Sequence, residues 1–120
     1  MTRINCVPVE ELTREHLVAE YKELPRMAKH ALRKWTKDPG YIPPPTYRLG
    51  EGHMNFFVNK GGWLRRRHGE LVNEMEKRKY AVNFPEYPVS IHPEAWMGDW
   101  EPDEQAIALS RQRIQERLSK

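Results

Sequence analysis

From Thr13 to Lys37, apolar residues return at every third or fourth position: Leu17, Tyr21, Leu24, Ala28, Ala31, Leu32 and Trp35. That spacing gathers them on one stripe of a helix, yet Pro25 sits inside the pattern. A proline removes one backbone donor and its ring clashes with the preceding turn. The segment therefore predicts a helix capped by Thr13, kinked at Pro25 and stopped at Asp38-Pro39-Gly40. A second helix is expected from about Lys60 to Tyr80, with Leu64, His68, Leu71 and Met75 as its stripe. Gly61, Gly62 and Gly69 weaken it by roughly 1 kcal/mol each relative to alanine, but glycines on a helix also let another backbone approach closely. A third is expected from about Pro102 to Leu118, with Pro102 in its first turn, Asp103 and Glu104 at the positive end of its dipole, and Ile107, Ile114 and Leu118 on one face. Two long connections separate the three, one holding Pro43-Pro44-Pro45, the other Pro85, Pro88, Pro93, Trp96 and Trp100. Connections of that length are functional or packed by their own aromatics. The expectation is an all-α fold: a single compact domain, residues 1–120, of three helices with long Pro-rich loops.

A chain of 120 residues, 38% hydrophobic, suits one modest core. The lone cysteine, Cys6, excludes an internal disulfide and a cysteine-rich metal site and reads as a small buried apolar residue. No stretch approaches the ~18 apolar residues of a membrane span, and no apolar leader opens the chain, so a cytoplasmic protein with no membrane partner is expected. The net charge of +3 says little, but its distribution says more: residues 13–37 and 59–80 each carry seven Lys or Arg against three acids, whereas 81–101 carry four acids and no Lys or Arg. Two basic segments of this kind are either solvated helix faces or a footprint for nucleic acid.

Several residues can carry chemistry. Thr2 is small, so Met1 is expected to be removed, leaving an α-amine. At neutral pH roughly one such amine in ten is unprotonated, far more than for lysine, which makes it an adequate nucleophile. Arg3 beside it would lower that amine's pKa and can hold a phosphate. His16, Glu20 and Glu23 share a helix face, parallel to a basic stripe of Lys22, Arg26, Lys29 and Arg33. A carboxylate there repels phosphate, which points to a catalytic use; the plainer reading of Glu23 is a surface pair with Arg26. Within Arg65-Arg66-Arg67 at most two side chains can face one phosphate backbone. Arg113 and Arg117 share a face near the end of the third helix, where the dipole tolerates them. Gly50-Glu51-Gly52-His53 falls far short of a phosphate-binding loop, and the histidines lack metal-ligand spacing.

Taken in order along nearly the whole chain, the sequence resembles the pyrimidine-dimer DNA glycosylase/AP lyase family of the phage endonuclease V type. The resemblance rests on Met1-Thr-Arg-Ile-Asn5, Glu11-Leu12, His16-Leu17, Ala19-Glu20-Tyr21 and Glu23-Leu24-Pro25-Arg26. It continues through Pro45-Thr46-Tyr47, Leu49-Gly50, Gly52-His53, Phe56-Phe57, Leu64-Arg65, Arg67 and Glu70-Leu71, and ends in Pro102, Glu104, Ile107-Ala108, Ser110, Arg113 and Glu116. It implies that the Thr2 amine attacks the sugar C1′ and that Glu23 is the essential carboxylate. It also implies that Arg3, His16, Lys22, Arg26, Arg113 and Arg117 contact damaged double-stranded DNA. Lys22 stands where the phage enzyme has arginine and loses the bidentate fork. The chemistry implied is base removal followed by β-elimination, with a nucleotide flipped out of the duplex and no metal or other cofactor. A monomer is the expectation, in a protein of bacterial or phage type associated with the nucleoid; a non-catalytic DNA-binding helical domain on the same scaffold is the alternative. The phage enzyme's aromatic, basic tail has no counterpart in residues 1–120. Trp96 and Trp100 either stand in for it or pack the long loop, and packing is the expectation.

Overall fold

The computed structural model describes residues 3–118. Among these the chain is helical: α1 (Arg14–Glu23), α2 (Met27–Lys37), the single turn α3 (His53–Phe56), α4 (Gly61–Lys77) and α5 (Glu104–Leu118). No described residue belongs to a named strand; Lys60 and Met97 form one isolated antiparallel bridge. The all-α expectation holds.

The first predicted helix divides where its proline lies. Thr13 caps α1, its side chain accepting the His16 N–H, and a 3-10 turn, Leu24–Arg26, joins α1 to α2. Leu24 is fully buried at that turn, and the stripe continues inward through Leu17, Tyr21, Met27, Ala28 and Ala31. Leu32, at 41% exposure, has rotated out of it. α1 packs chiefly against α4, and α2 against α3.

The predicted stripe of α4 (Leu64, His68, Leu71, Met75) is buried throughout. The helix ends three residues before the expected Tyr80. Lys79 turns left-handed (φ 64°), while the N–H groups of Lys79 and Tyr80 return to the carbonyls of Glu76 and Met75. This double bond pattern ordinarily takes a glycine, whose absence hides the stop from a reading of the sequence. Close approach is realised at the helix start. A Cβ on Gly61 would collide with Met97 Sδ and lie 2.8 Å from the His92 ring, and one on Gly62 would meet the Gly98 carbonyl at 3.0 Å; one on Gly69 would meet nothing. α5 starts two residues later than expected because Asp103, not Pro102, supplies the cap: its Oδ1 accepts the Ala106 N–H at 2.8 Å.

The long connections are packed by their own aromatics. Trp96 meets Trp35 edge-on with ring centroids 5.1 Å apart, and Trp100 packs among Tyr47, Phe56, Phe57 and Trp63. Tyr21 Oη accepts the N–H groups of Asn83 and Phe84. No described helix is long and apolar enough to cross a membrane.

The element that most affects the site has no secondary structure. Before a 3-10 turn at Val9–Glu11, Ile4, Asn5, Cys6 and Val7 run buried in succession. This arm is threaded among α1, α4 and α5, and side chains rather than a sheet satisfy its backbone.

Candidate active site

Glu23 is the last residue of α1, and the proline turn follows at once. Glu20, one turn earlier, faces inward and is 1% exposed. Its carboxylate accepts from Arg67 Nε at 2.7 Å and Nη2 at 3.2 Å, and from Asn5 N at 3.2 Å and Nδ2 at 3.0 Å. Arg67 completes the arrangement by donating from Nη1 to the Val7 carbonyl at 2.6 Å. Burial alone would pull the Arg67 pKa down, but the charge and hydrogen bonds of Glu20 more than reverse that, leaving it raised. A buried ion pair persists only when its remaining donors and acceptors are also satisfied, and here the N-terminal arm satisfies them.

Above this pair lies a cleft of about 670 Å³, whose wall includes Arg3, Asn5, His16, Glu20, Glu23, Arg113 and Arg117. Arg3 N donates to Glu23 Oε1 at 3.2 Å, so the arm reaches the carboxylate at its first described residue. His16 Nδ1 lies 2.9 Å from the hydroxyl of its cap residue Thr13. Its pKa is lowered by partial burial and then by the guanidinium groups of Arg113 and Arg117. Arg113, half buried, donates to Asn5 Oδ1; burial, followed by the proximity of Arg3 and Arg117, lowers its pKa. Asn5 thus joins α5 to the Glu20–Arg67 pair. A second basin, of about 530 Å³, holds Arg14, Val18, Lys22 and Arg26, and shares Glu15, Ala19 and Glu23 with the first.

The structure therefore brings together Arg3, His16, Glu23, Arg113 and Arg117, while Lys22 and Arg26 lie across Glu23 in the adjoining basin. Thr2 lies outside the described residues. The arginine run splits: Arg67 is buried on Glu20, Arg66 pairs with exposed Asp99 at 2.8 Å, and Arg65 is exposed. Glu20 borders the cleft but is 1% exposed, its carboxylate held by Arg67 and Asn5.

Residue-by-residue reading missed Asn5, Arg67 and His53 as the residues that hold the arm. One signal was available. Arg67 lies three residues after Leu64 and four before Leu71, on the apolar stripe of α4, and an arginine there needs a buried acid. Among the described residues no group of three or more His, Cys, Asp or Glu is placed to hold a metal ion.

A model of the pyrimidine dimer DNA glycosylase family matches residues 1–87. That span includes the arm, α1 to α4 and Glu23 with its adjoining basin; α5, with Arg113 and Arg117, lies beyond it and closes the cleft from the other side. With 87 of its 120 residues so matched, the chain belongs to the pyrimidine dimer DNA glycosylase family.

Proposed function

We propose that the protein is a DNA-repair glycosylase with AP-lyase activity that removes the 5′ base of a UV cyclobutane dimer and then cuts the strand, using the α-amine of Thr2 as nucleophile and Glu23 as its carboxylate. The observation that carries this reading is the 3.2 Å hydrogen bond from the Arg3 amide to Glu23. Covalent geometry keeps an α-amine on residue 2 within about 4 Å of that amide nitrogen. A residue 2 amine within about 7 Å of the carboxylate is what this bond and covalent limit support, beside a cleft lined by Arg3, Arg113 and Arg117.

The proposed steps are these. As the glycosidic bond breaks, its electron pair leaves with the base and positive charge develops at C1′, which the Glu23 carboxylate stabilises. The amine nitrogen bonds to C1′ and gives one proton to the departing base; the C1′–O4′ bond then breaks, O4′ takes the second nitrogen proton, and the opened sugar is an imine. The imine acidifies C2′; Glu23 assists removal of that proton, the electron pair forms the C2′–C3′ double bond, and the 3′ phosphate departs. Water then hydrolyses the imine and restores the amine. Arg3, His16, Arg113 and Arg117 on one side of Glu23, with Lys22 and Arg26 on the other, hold the phosphates flanking the lesion.

The test is incision of a UV-irradiated duplex and of an abasic duplex by the protein with Met1 removed, by the form retaining Met1, and by Glu23→Gln. Incision by the first form only, with comparable binding by all three, is the expected result. Salt-sensitive binding without incision by any form would overturn the enzymatic reading and leave a DNA-binding domain.

A further inference from the structure

Four consecutive backbone N–H groups of the arm donate to side chains: Arg3 to Glu23 at 3.2 Å, Ile4 to His53 Nε2 at 2.9 Å, Asn5 to Glu20 at 3.2 Å and Cys6 to Ser110 Oγ at 3.2 Å. Glu23 has its own part in the proposed chemistry, while Glu20 and Ser110 act deeper in the core. His53 is therefore the contact nearest the start of the chain that has no other role. Nε2 can accept from Ile4 only while it carries no proton. The ring's one proton then lies on Nδ1, which donates to the Arg48 carbonyl at 2.8 Å. The ring is 3% exposed and meets Tyr47 and Phe57 edge-on, each at 5.5 Å between centroids. Tyr47 in turn donates its hydroxyl to the Ile4 carbonyl at 3.0 Å. Both backbone groups of Ile4 are thus fixed by a packed pair of rings.

We propose that His53 is a positioning residue: by accepting the Ile4 N–H it sets how far residue 2 reaches into the Glu23 cleft, and a protonated ring releases it. The proposal rests on the reading of the residue 2 amine as nucleophile. The charged or titratable groups around the ring are Arg3 on the arm, Glu20 on α1, Arg113 on α5 and Tyr47 in the preceding loop. Burial lowers the His53 pKa most; the Arg48 carbonyl opposes that, Arg113 lowers it further, Glu20 raises it and Arg3 lowers it. The ring is neutral at neutral pH, and acidification removes the acceptor that Ile4 needs.

Two substitutions separate positioning from packing. In His53→Gln the amide oxygen can accept from Ile4 and the amide nitrogen can donate to Arg48, but nothing titrates. His53→Leu offers neither bond. Borohydride trapping rates on an abasic duplex, measured from about pH 5 to pH 8 at matched DNA occupancy, provide the readout. His53→Leu should lose about ten- to hundredfold in rate, the scale of an ångström-level misplacement, with duplex binding retained. His53→Gln should recover most of that rate at neutral pH and hold it to lower pH than the wild type. Wild-type trapping rates in His53→Leu, or an acid limb in His53→Gln that matches the wild type, would overturn the proposal. Should His53→Leu fail to fold, the acid limb of His53→Gln still decides. A wild-type protein that traps no adduct at any pH would instead overturn the amine reading, and the positioning role with it.

Discussion

Replacing Arg67 by methionine leaves the Glu20 carboxylate, 1% exposed, with only Asn5 as a donor among the described residues. Breaking a buried pair by removing one partner costs about 3–5 kcal/mol. The Val7 carbonyl also loses its bond from Arg67 Nη1, which adds about 1 kcal/mol if water does not replace it. With a urea dependence of about 2 kcal/mol per molar, typical of a small protein, the unfolding midpoint should fall by roughly 2–3 M with little change in slope. Replacing Glu20 as well, in Glu20→Leu/Arg67→Met, removes the stranded charge. An isolated buried pair treated this way is often neutral or stabilising. Here the Asn5 N–H and side-chain amide would lose their acceptor, so the double variant should recover only part of the loss. The assay is urea unfolding followed by circular dichroism and by tryptophan fluorescence. A loss below about 1 kcal/mol for Arg67→Met, or full recovery in the double variant, would refute the view that this pair exists to hold the arm.

Further expectations follow from single features. Gly61→Ala should destabilise by about 1–3 kcal/mol through overpacking against Met97 and His92, whereas Gly69→Ala, with open space, should stabilise slightly; equal effects in thermal melts would contradict the close approach. His53, His68 and His92 are buried with lowered pKa values, in each case mainly through desolvation. Below the ordinary histidine value of 6.5 the unfolded chain takes up protons that the native state refuses. Stability should therefore fall as pH drops through that value, by up to about 1.4 kcal/mol per pH unit for each ring. A flat urea midpoint between about pH 7 and pH 5 would refute this. Arg117→Ala, at an exposed cleft position, should weaken duplex binding and reduce the log–log salt slope by about 1; weaker binding with an unchanged slope would remove it from the phosphate contacts.

What the sequence made legible was local. The stripe of α1 and α2, the Thr13 cap and the break at Pro25 all depend on neighbours within one or two turns, so periodicity and cap chemistry reveal them. Glu23, Arg3 and His16 could be named by resemblance, and the fold places them around one cleft. The arm was not legible. Residues 3–8 have neither a period of two nor one of 3.6, and their bonds reach partners 15 to 104 positions away. Glu20 illustrates the difference: helical spacing puts it on the face of Glu23, but its burial depends on Arg67, 47 residues along. α3 was missed because one helical turn is too short to show a pattern.

The most direct test of the proposed chemistry is to locate the covalent bond. Met1-processed protein is incubated with an abasic duplex, reduced with borohydride and digested, and the DNA-linked peptide is sequenced by mass spectrometry. The result expected is a single adduct on the α-amine of Thr2, absent when Met1 is retained. Lys60 is the pertinent competitor, because burial brings its pKa down to about 8. An adduct on Lys60 or any other lysine, or one that persists with Met1 in place, would contradict the assignment.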